Sequence, residues 1–346
     1  MKYLKYIWLA YIRMYLNLGM FFYFKRIAIY NIQNIPKNKP VLLLSNHQNA
    51  LLDALLIAVK GERFSYFLTR ASVFKHAFVA SFLKSLQMLP VYRIRDGREH
   101  LSNNNLIFEK CATLLHNNEA VVLFPEGNHN LKRTVRPLSK GFTRIVLNTL
   151  EKYPDTDLQL LPVGLNFDKA KNFPDQVSMY FGASINAKAF ISGNKNEDVL
   201  KLKTKVQTEL CKLTTHIPVD QYDETLNKLE HLNANFLNPK AVNRCIENNF
   251  ESCKFNQSKS VNALQKVTEI LLIFSFIVPY IIWKFLVKPK IKELEFISTF
   301  RFAIAITLAP IYLLITTIIV INYLGLLSGL LFLVLTLAIT LCAVKL

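Results

Sequence analysis

Glycine is scarce in this chain, ten residues of 346, and none of the ten falls in a GxGxxG or a Gx4GK[ST] run. Dinucleotide-binding and P-loop readings therefore lose the backbone turns they depend on. Cysteine is equally thin. Cys111, Cys211, Cys245, Cys253 and Cys342 make an odd count with no CxxC pair, which predicts reduced thiols in a cytosolic compartment, no disulfide framework and no zinc site. Acidic side chains are few as well: 24 Asp and Glu stand against 42 Lys and Arg, a net charge of +18. No internal repeat is present. What remains is a basic chain with a mean hydropathy of +0.23, long enough for one large domain or two modest ones. High charge favours water and positive hydropathy favours lipid, so the two together point to a protein working at a membrane.

The apolar residues are unevenly placed. After about residue 265 they fall into three runs, 267–287, 302–323 and 324–344. A spanning helix needs roughly 20 apolar residues. The second and third runs meet this and are separated by Asn322-Tyr323-Leu324-Gly325, which predicts a transmembrane hairpin. The first run contains Glu269, Pro279 and Lys284. Lys288, Lys290, Lys292 and Arg301 follow it, and Lys345 follows the third run. Short loops rich in Lys and Arg stay on the cytoplasmic side, so the expectation is that 267–287 is re-entrant or interfacial rather than spanning. Residues 1–26 form a different element, with nine aromatics set among Lys2, Lys5 and Arg13. Charge and tyrosine interrupt any signal-peptide core, and aromatic rings with basic stems suit the headgroup layer, so an interfacial helix is expected there.

Between residues 27 and 215 short apolar runs alternate with helical patterns. Strands are expected at 41–45, 67–70, 89–93, 120–124, 160–167 and 177–181. Helices are expected at 53–59, 72–86, 102–117, 140–152 and 197–215. The fold class is therefore α/β, a central mixed sheet flanked by helices. A polar, asparagine-rich connector at 216–265 precedes the hydrophobic region 266–346.

Four sequence blocks end or form strands. In the first, NHQNALLD, a strand gives way to His47 with Asp53 six positions on, the residue types of a general base and its orienting carboxylate. In the second, PVYRIRD, Arg93 and Arg95 close a strand, and arginine forks match phosphate oxygens. The third, FPEGN, puts Glu126 and Gly127 at a strand end, with Lys132, Arg133, Arg136 and Lys140 downstream. The fourth, LLPVGLNF, is apolar. In such sheets ligands collect beyond the strand ends.

Taken in this order, the blocks resemble the four-block signature of the PlsC-type glycerolipid acyltransferases, the glycerol-3-phosphate and lysophosphatidate acyltransferases, over roughly residues 20–190. The resemblance implies transfer of an acyl chain from acyl-CoA or acyl-carrier protein to a glycerol hydroxyl, with no cofactor and no metal. It implies His47 as the base, Asp53 as its partner, Arg93 on the acceptor phosphate, Glu126 and Gly127 shaping the acceptor site, and Pro162 marking the last block. Three departures stand out. Five residues separate His47 from Asp53 where the family has four. Gln87 replaces a glycine before the second block. Asn128-His129 replaces the familiar Thr-Arg, which moves phosphate binding toward Arg133, Arg136 or Lys140. On a regular helix six positions amount to about 240° of rotation, so the additional residue must be absorbed within Gln48–Ala50 for the pair to meet. The expected partners are membrane lipids and the acyl donor, not nucleic acid, with the oligomeric state left open. The expected place is the inner or plasma membrane, with the catalytic domain on its cytoplasmic face. The rival reading is a non-catalytic, membrane-associated lipid binder built on a degenerate acyltransferase domain, suggested by the widened His–Asp spacing.

Overall fold

A computed structural model describes residues 2–92, 102–251, 253, 255 and 263–346. The amphipathic N-terminal helix α1 (Lys2–Tyr23) passes without a break into strand β1 (Phe24–Tyr30). There follow β2 (Val41–Ser45), α2 (Ala50–Lys60), β3 (Ser65–Arg70), α3 (Ala77–Ser85), β4 (Met88–Val91), α4 (Asn103–His116), β5 (Ala120–Leu123) and α5 (Gly141–Lys152). β6 (Gln159–Phe167), β7 (Asp175–Phe181), the two-residue β8 (Ile185–Asn186) and α6 (Lys195–Leu213) complete the domain.

The eight strands form one mixed sheet in the order β1-β7-β6-β2-β5-β3-β4, with β8 beside β6. β6 is antiparallel to β7 and β8, and the other pairings are parallel. Side chains of β2 alternate between two cores as a pleated strand requires. Val41 and Leu43 pack with Met20 and Tyr23 of α1 and Leu52 and Leu56 of α2. Leu42 and Leu44 pack on the opposite face with Phe108 of α4, Phe142 and Val146 of α5, and Val206 and Leu210 of α6. β6 is buried along its whole length. Gly164 lets it lie against the end of α6, because a Cβ there would stand 2.2 Å from the Leu213 carbonyl oxygen.

Strand β1 corrects the sequence reading of a helix continuing to residue 26. No glycine or proline marks the change, and the strand exists because it pairs with β7. The connector carries α7 (Tyr222–His231) and α8 (Pro239–Glu247) around a small core of Ile217, Tyr222, Leu229, Phe236 and Val242. Here a second expectation fails: Cys245 and Cys253 are joined in a disulfide, with their Cα atoms 5.4 Å apart. Asn249 and Phe250 at positive φ turn the chain back after α8 and bring the two cysteines together, a closure that no CxxC spacing announces. Cys111, Cys211 and Cys342 are free.

In the hydrophobic region α9 (Ala263–Ser275) and α10 (Ile277–Ile281) belong to a helical pair bent by 95°. The bend falls at Phe276, just before the turn in which Pro279 lacks the N–H that Ser275 would otherwise accept. α11 (Ile297–Ile306), α12 (Leu308–Leu324) and α13 (Leu326–Lys345) follow. Among the described residues two helical segments, Leu294–Leu324 and Leu326–Lys345, are long and apolar enough to cross a membrane. They meet at Gly325, whose φ of 85° suits glycine.

Candidate active site

Because β2, β5 and β6 run parallel, their carboxyl ends open on one edge of the sheet. Residues 46–49 tie that edge together. The Asn46 side chain continues the β2–β6 ladder, accepting from the Leu165 N–H at 2.8 Å and donating to the Leu165 carbonyl at 2.9 Å. The His47 carbonyl accepts from the Asn130 N–H, and Gln48 donates to the Leu131 carbonyl, so both hold the loop that follows FPEG. Asn49 donates through its side chain to the Ala170 carbonyl beyond β6. None of these positioning roles is announced by the sequence, since each depends on which strand lies next to which.

His47 Nδ1 lies 2.8 Å from Asp53 Oδ2. The same oxygen accepts the Asn49 N–H at 2.8 Å. Asp53 is fully buried, in the first turn of α2, where the helix dipole favours an anion. The additional residue is absorbed at Ala50, which has a φ of 43° and starts α2 after the Gln48–Asn49 bend. Such a conformation is uncommon for alanine and costs of order 1–3 kcal/mol. The His47 ring is stacked on Phe124 at 4.1 Å, and its side chain retains 18% exposure, so an edge of the imidazole remains open to the cleft.

FPEG turns sharply at Gly127, where φ is 70°. Glu126 Oε2 pairs with Arg136 Nε at 2.7 Å, and Arg136 also donates to the Asn128 carbonyl. Burial pushes the Glu126 carboxyl up, opposed by Arg136 and by the His47 backbone N–H. Glu126, Arg133, His47 and Lys132 line one open cleft at this edge. Arg133 is committed within it: its terminal nitrogens donate to the Phe167 and Asp168 carbonyls at 2.7 and 2.6 Å, and its guanidinium sits 3.8 Å over Phe236. Its geometry is that of a brace on the cleft wall. Lys140 is exposed at the N-cap of α5, outside the residues lining the cleft. Arg93 lies outside the described residues.

His129 is the member that residue-by-residue reading passes over. Its ring stands edge-on to His47, with centroids 5.7 Å apart. Its Nε2 is 3.2 Å from Glu293 Oε2, and Phe296 meets its ring edge-on at 4.9 Å. Gln87, at the position of the familiar glycine, keeps the left-handed backbone with a φ of 62°. A second, apolar cleft lies between α1, α2 and β3 and is lined by Leu9, Ile12, Leu16, Leu55, Phe67 and Met88 among others. Among the described residues no group of three or more His, Cys, Asp and Glu side chains is gathered as metal ligands would be.

A mixed sheet that holds a His–Asp pair, its carboxylate buried and its imidazole edge open, beside a Glu–Arg pair at its strand ends has the residue types for acid–base chemistry. Residues 26–166 match the family model described as Acyltransferase. Over 80 residues it is 30% identical to an uncharacterized acyltransferase of Schizosaccharomyces pombe, a stretch amounting to 23% of this chain and 12% of that one. Over 83 residues it is 31% identical to glycerol-3-phosphate O-acyltransferase 1 of Saccharomyces cerevisiae, 24% of this chain and 11% of that one. The matched stretches thus span only about a tenth of these relatives' length. Among solved structures, the 1-acyl-sn-glycerophosphate (LPA) acyltransferase PlsC of Thermotoga maritima superposes with a TM-score of 0.43 and 19% identity, over 58% of this chain and 79% of that one.

Proposed function

We propose that the chain is a membrane-bound acyltransferase that moves an acyl group from an acyl-CoA or acyl-carrier-protein thioester to a hydroxyl of a glycerol phosphate. The observation that carries this reading is the 2.8 Å contact between His47 and Asp53 at a strand end beside FPEG. With Nδ1–H directed at Asp53, His47 Nε2 accepts the proton of the glycerol hydroxyl as the oxygen attacks the thioester carbonyl. Asp53 holds the tautomer and stabilises the imidazolium. The tetrahedral intermediate collapses with loss of the thiolate, and His47 returns the proton to it. Glu126, fixed by Arg136, orients the acceptor, and Lys132 supplies positive charge at the mouth of the cleft. The apolar cleft begins one residue past Asp53 along α2, at Ala54 and Leu55, and is the seat for the acyl chain.

The chain divides into the helix α1, the α/β domain from β1 to about residue 215, the connector 216–265 and the hydrophobic region 266–346, with α1 on the membrane surface. Supporting this, α1 exposes Tyr3, Tyr6, Tyr11 and Leu18, and α3 beside it exposes Phe78 and Phe82. Leu294–Leu324 and Leu326–Lys345 form the spanning hairpin. The bent pair before them re-enters the side it left: Ser298 and Arg301 bond to carbonyls of Ala170, Lys171 and Asn172, and Lys345 bonds to the Phe24 carbonyl, so both ends of the hairpin return to the domain. Short basic loops put that side in the cytoplasm, at the inner or plasma membrane. The non-catalytic lipid-binding reading drew its support from the widened His–Asp spacing; what favours the catalytic reading over it is that the bend at Ala50 leaves His47 and Asp53 2.8 Å apart. The test is a transfer assay with labelled acyl-CoA on purified full-length protein, offering glycerol 3-phosphate, lysophosphatidate and unphosphorylated glycerols in competition. Transfer to a phosphorylated acceptor supports the reading; binding of these lipids without turnover supports the rival.

A further inference from the structure

The short segment between the bent helical pair and α11 does more than join them. Glu293 reaches His129, Phe296 packs edge-on against the same ring, and Arg70 from the end of β3 lies 5.4 Å over Phe296. Further along, Ser298 Oγ donates to the Ala170 carbonyl at 2.5 Å, the carbonyl that also accepts from Asn49. Arg301 donates to the Lys171 and Asn172 carbonyls and to the Tyr23 hydroxyl. The segment is thus clasped at one end to the residue touching His47 and at the other to the turn that holds the His47–Asp53 bend.

We infer that Glu293 is a positioning residue, acting through His129 on His47, so that the segment carrying the membrane helices braces the active-site histidine from behind the cleft lining. The inference rests on the acyltransferase reading above and adds to it a dependence on how the hydrophobic region is seated. With Nε2–H given to Glu293, His129 keeps Nδ1 as a lone pair; that atom is buried and without a hydrogen-bond partner. A neutral His129 packs against His47 without opposing the proton His47 takes up, whereas a protonated one sets a like charge beside it. The groups facing His129 divide accordingly. Burial and then His47 lower its pKa, with Arg70 acting in the same direction, while Glu293 and Glu295 raise it.

The test uses the full-length protein in mixed micelles. Glu293→Ala and Phe296→Ala are expected to lower kcat about tenfold, with KM for both substrates within about twofold, because what is lost is orientation and not binding. Glu293→Asp recovers part of that loss. Glu293→Gln keeps an acceptor for His129 but drops the charge; its kcat at the optimum stays near wild type, and the acid limb of its pH–rate profile moves to lower pH. Wild-type kcat and profile in the alanine variants, or an effect on KM alone, overturns the inference. Histidine side-chain NMR separates this outcome from failure of the transferase reading. Even in a protein with no turnover, Glu293→Gln must lower the titration midpoint of His129 and perturb the His47 imidazole, and unchanged resonances also overturn it.

Discussion

His47 Nδ1 and Asp53 Oδ2 meet at 2.8 Å although six positions separate them along the chain and α2 has begun in between. The meeting depends on one residue, Ala50, held in the left-handed region so that the helix starts a residue late and turns Asp53 back toward the strand end. The site therefore keeps its pair at a local cost in backbone strain.

That cost is measurable. Ala50→Gly is expected to leave transfer activity within a few-fold of wild type and not to lower the melting temperature, because glycine adopts the same φ freely. Ala50→Val places a β-branched side chain at a positive φ in a buried position and is expected to destabilise by about 2 kcal/mol. Thermal unfolding of the two variants in detergent, beside their kinetics, checks both.

Removing the charge from Asp53 while keeping its shape is expected to act on turnover. Asp53→Asn lowers kcat by about 10²-fold or more, with little change in KM for the acceptor, because the imidazolium formed at His47 loses its partner. Steady-state kinetics over both substrates check this.

Asp175, at the head of β7, carries a pH signature. Burial pushes its carboxyl up to about 6, aided by Asp168 and opposed by the Lys169 and Gln176 N–H groups and by Arg133. A carboxyl whose folded pKa lies above its unfolded one stabilises the fold most at low pH, and that stability is lost as pH rises from the unfolded value through about 6. Between pH 4 and pH 7 the wild type is expected to lose about 2 kcal/mol that Asp175→Asn does not lose, at 1.36 kcal/mol per pKa unit. Unfolding of both proteins at the two pH values decides it.

Gly164→Ala is expected to fail to accumulate as folded protein. The new Cβ would meet the Leu213 backbone at 2.2 Å, and a carbonyl at the end of α6 cannot rotate away as a side chain could. Overpacking of this kind costs about 3 kcal/mol. Yield and melting temperature are the readouts.

Much of this architecture is written in local pattern. Leu42-Leu43-Leu44, bounded by Pro40 and Asn46, marks β2 from the sequence, because a short apolar run buried on both faces has few alternatives. The parallel strands that follow are found the same way. β1 is not, since the apolar aromatics of α1 run straight into Phe24 and only β7 decides where the helix stops. His47, Asp53, Glu126 and Arg136 stand together as their blocks suggest, yet Arg133 is tied to main-chain carbonyls and Lys140 faces solvent. The contacts of His129 with Glu293 and Phe296 join residues from distant parts of the chain, and nothing in either segment's own pattern refers to the other.

The base assigned to His47 is tested most directly by one comparison: initial rates of acyl transfer to a glycerol phosphate by the wild type and by His47→Ala, at equal amounts of folded protein. A fall of about 10³-fold or more is expected for the variant. Transfer by His47→Ala within about tenfold of wild type would contradict the account.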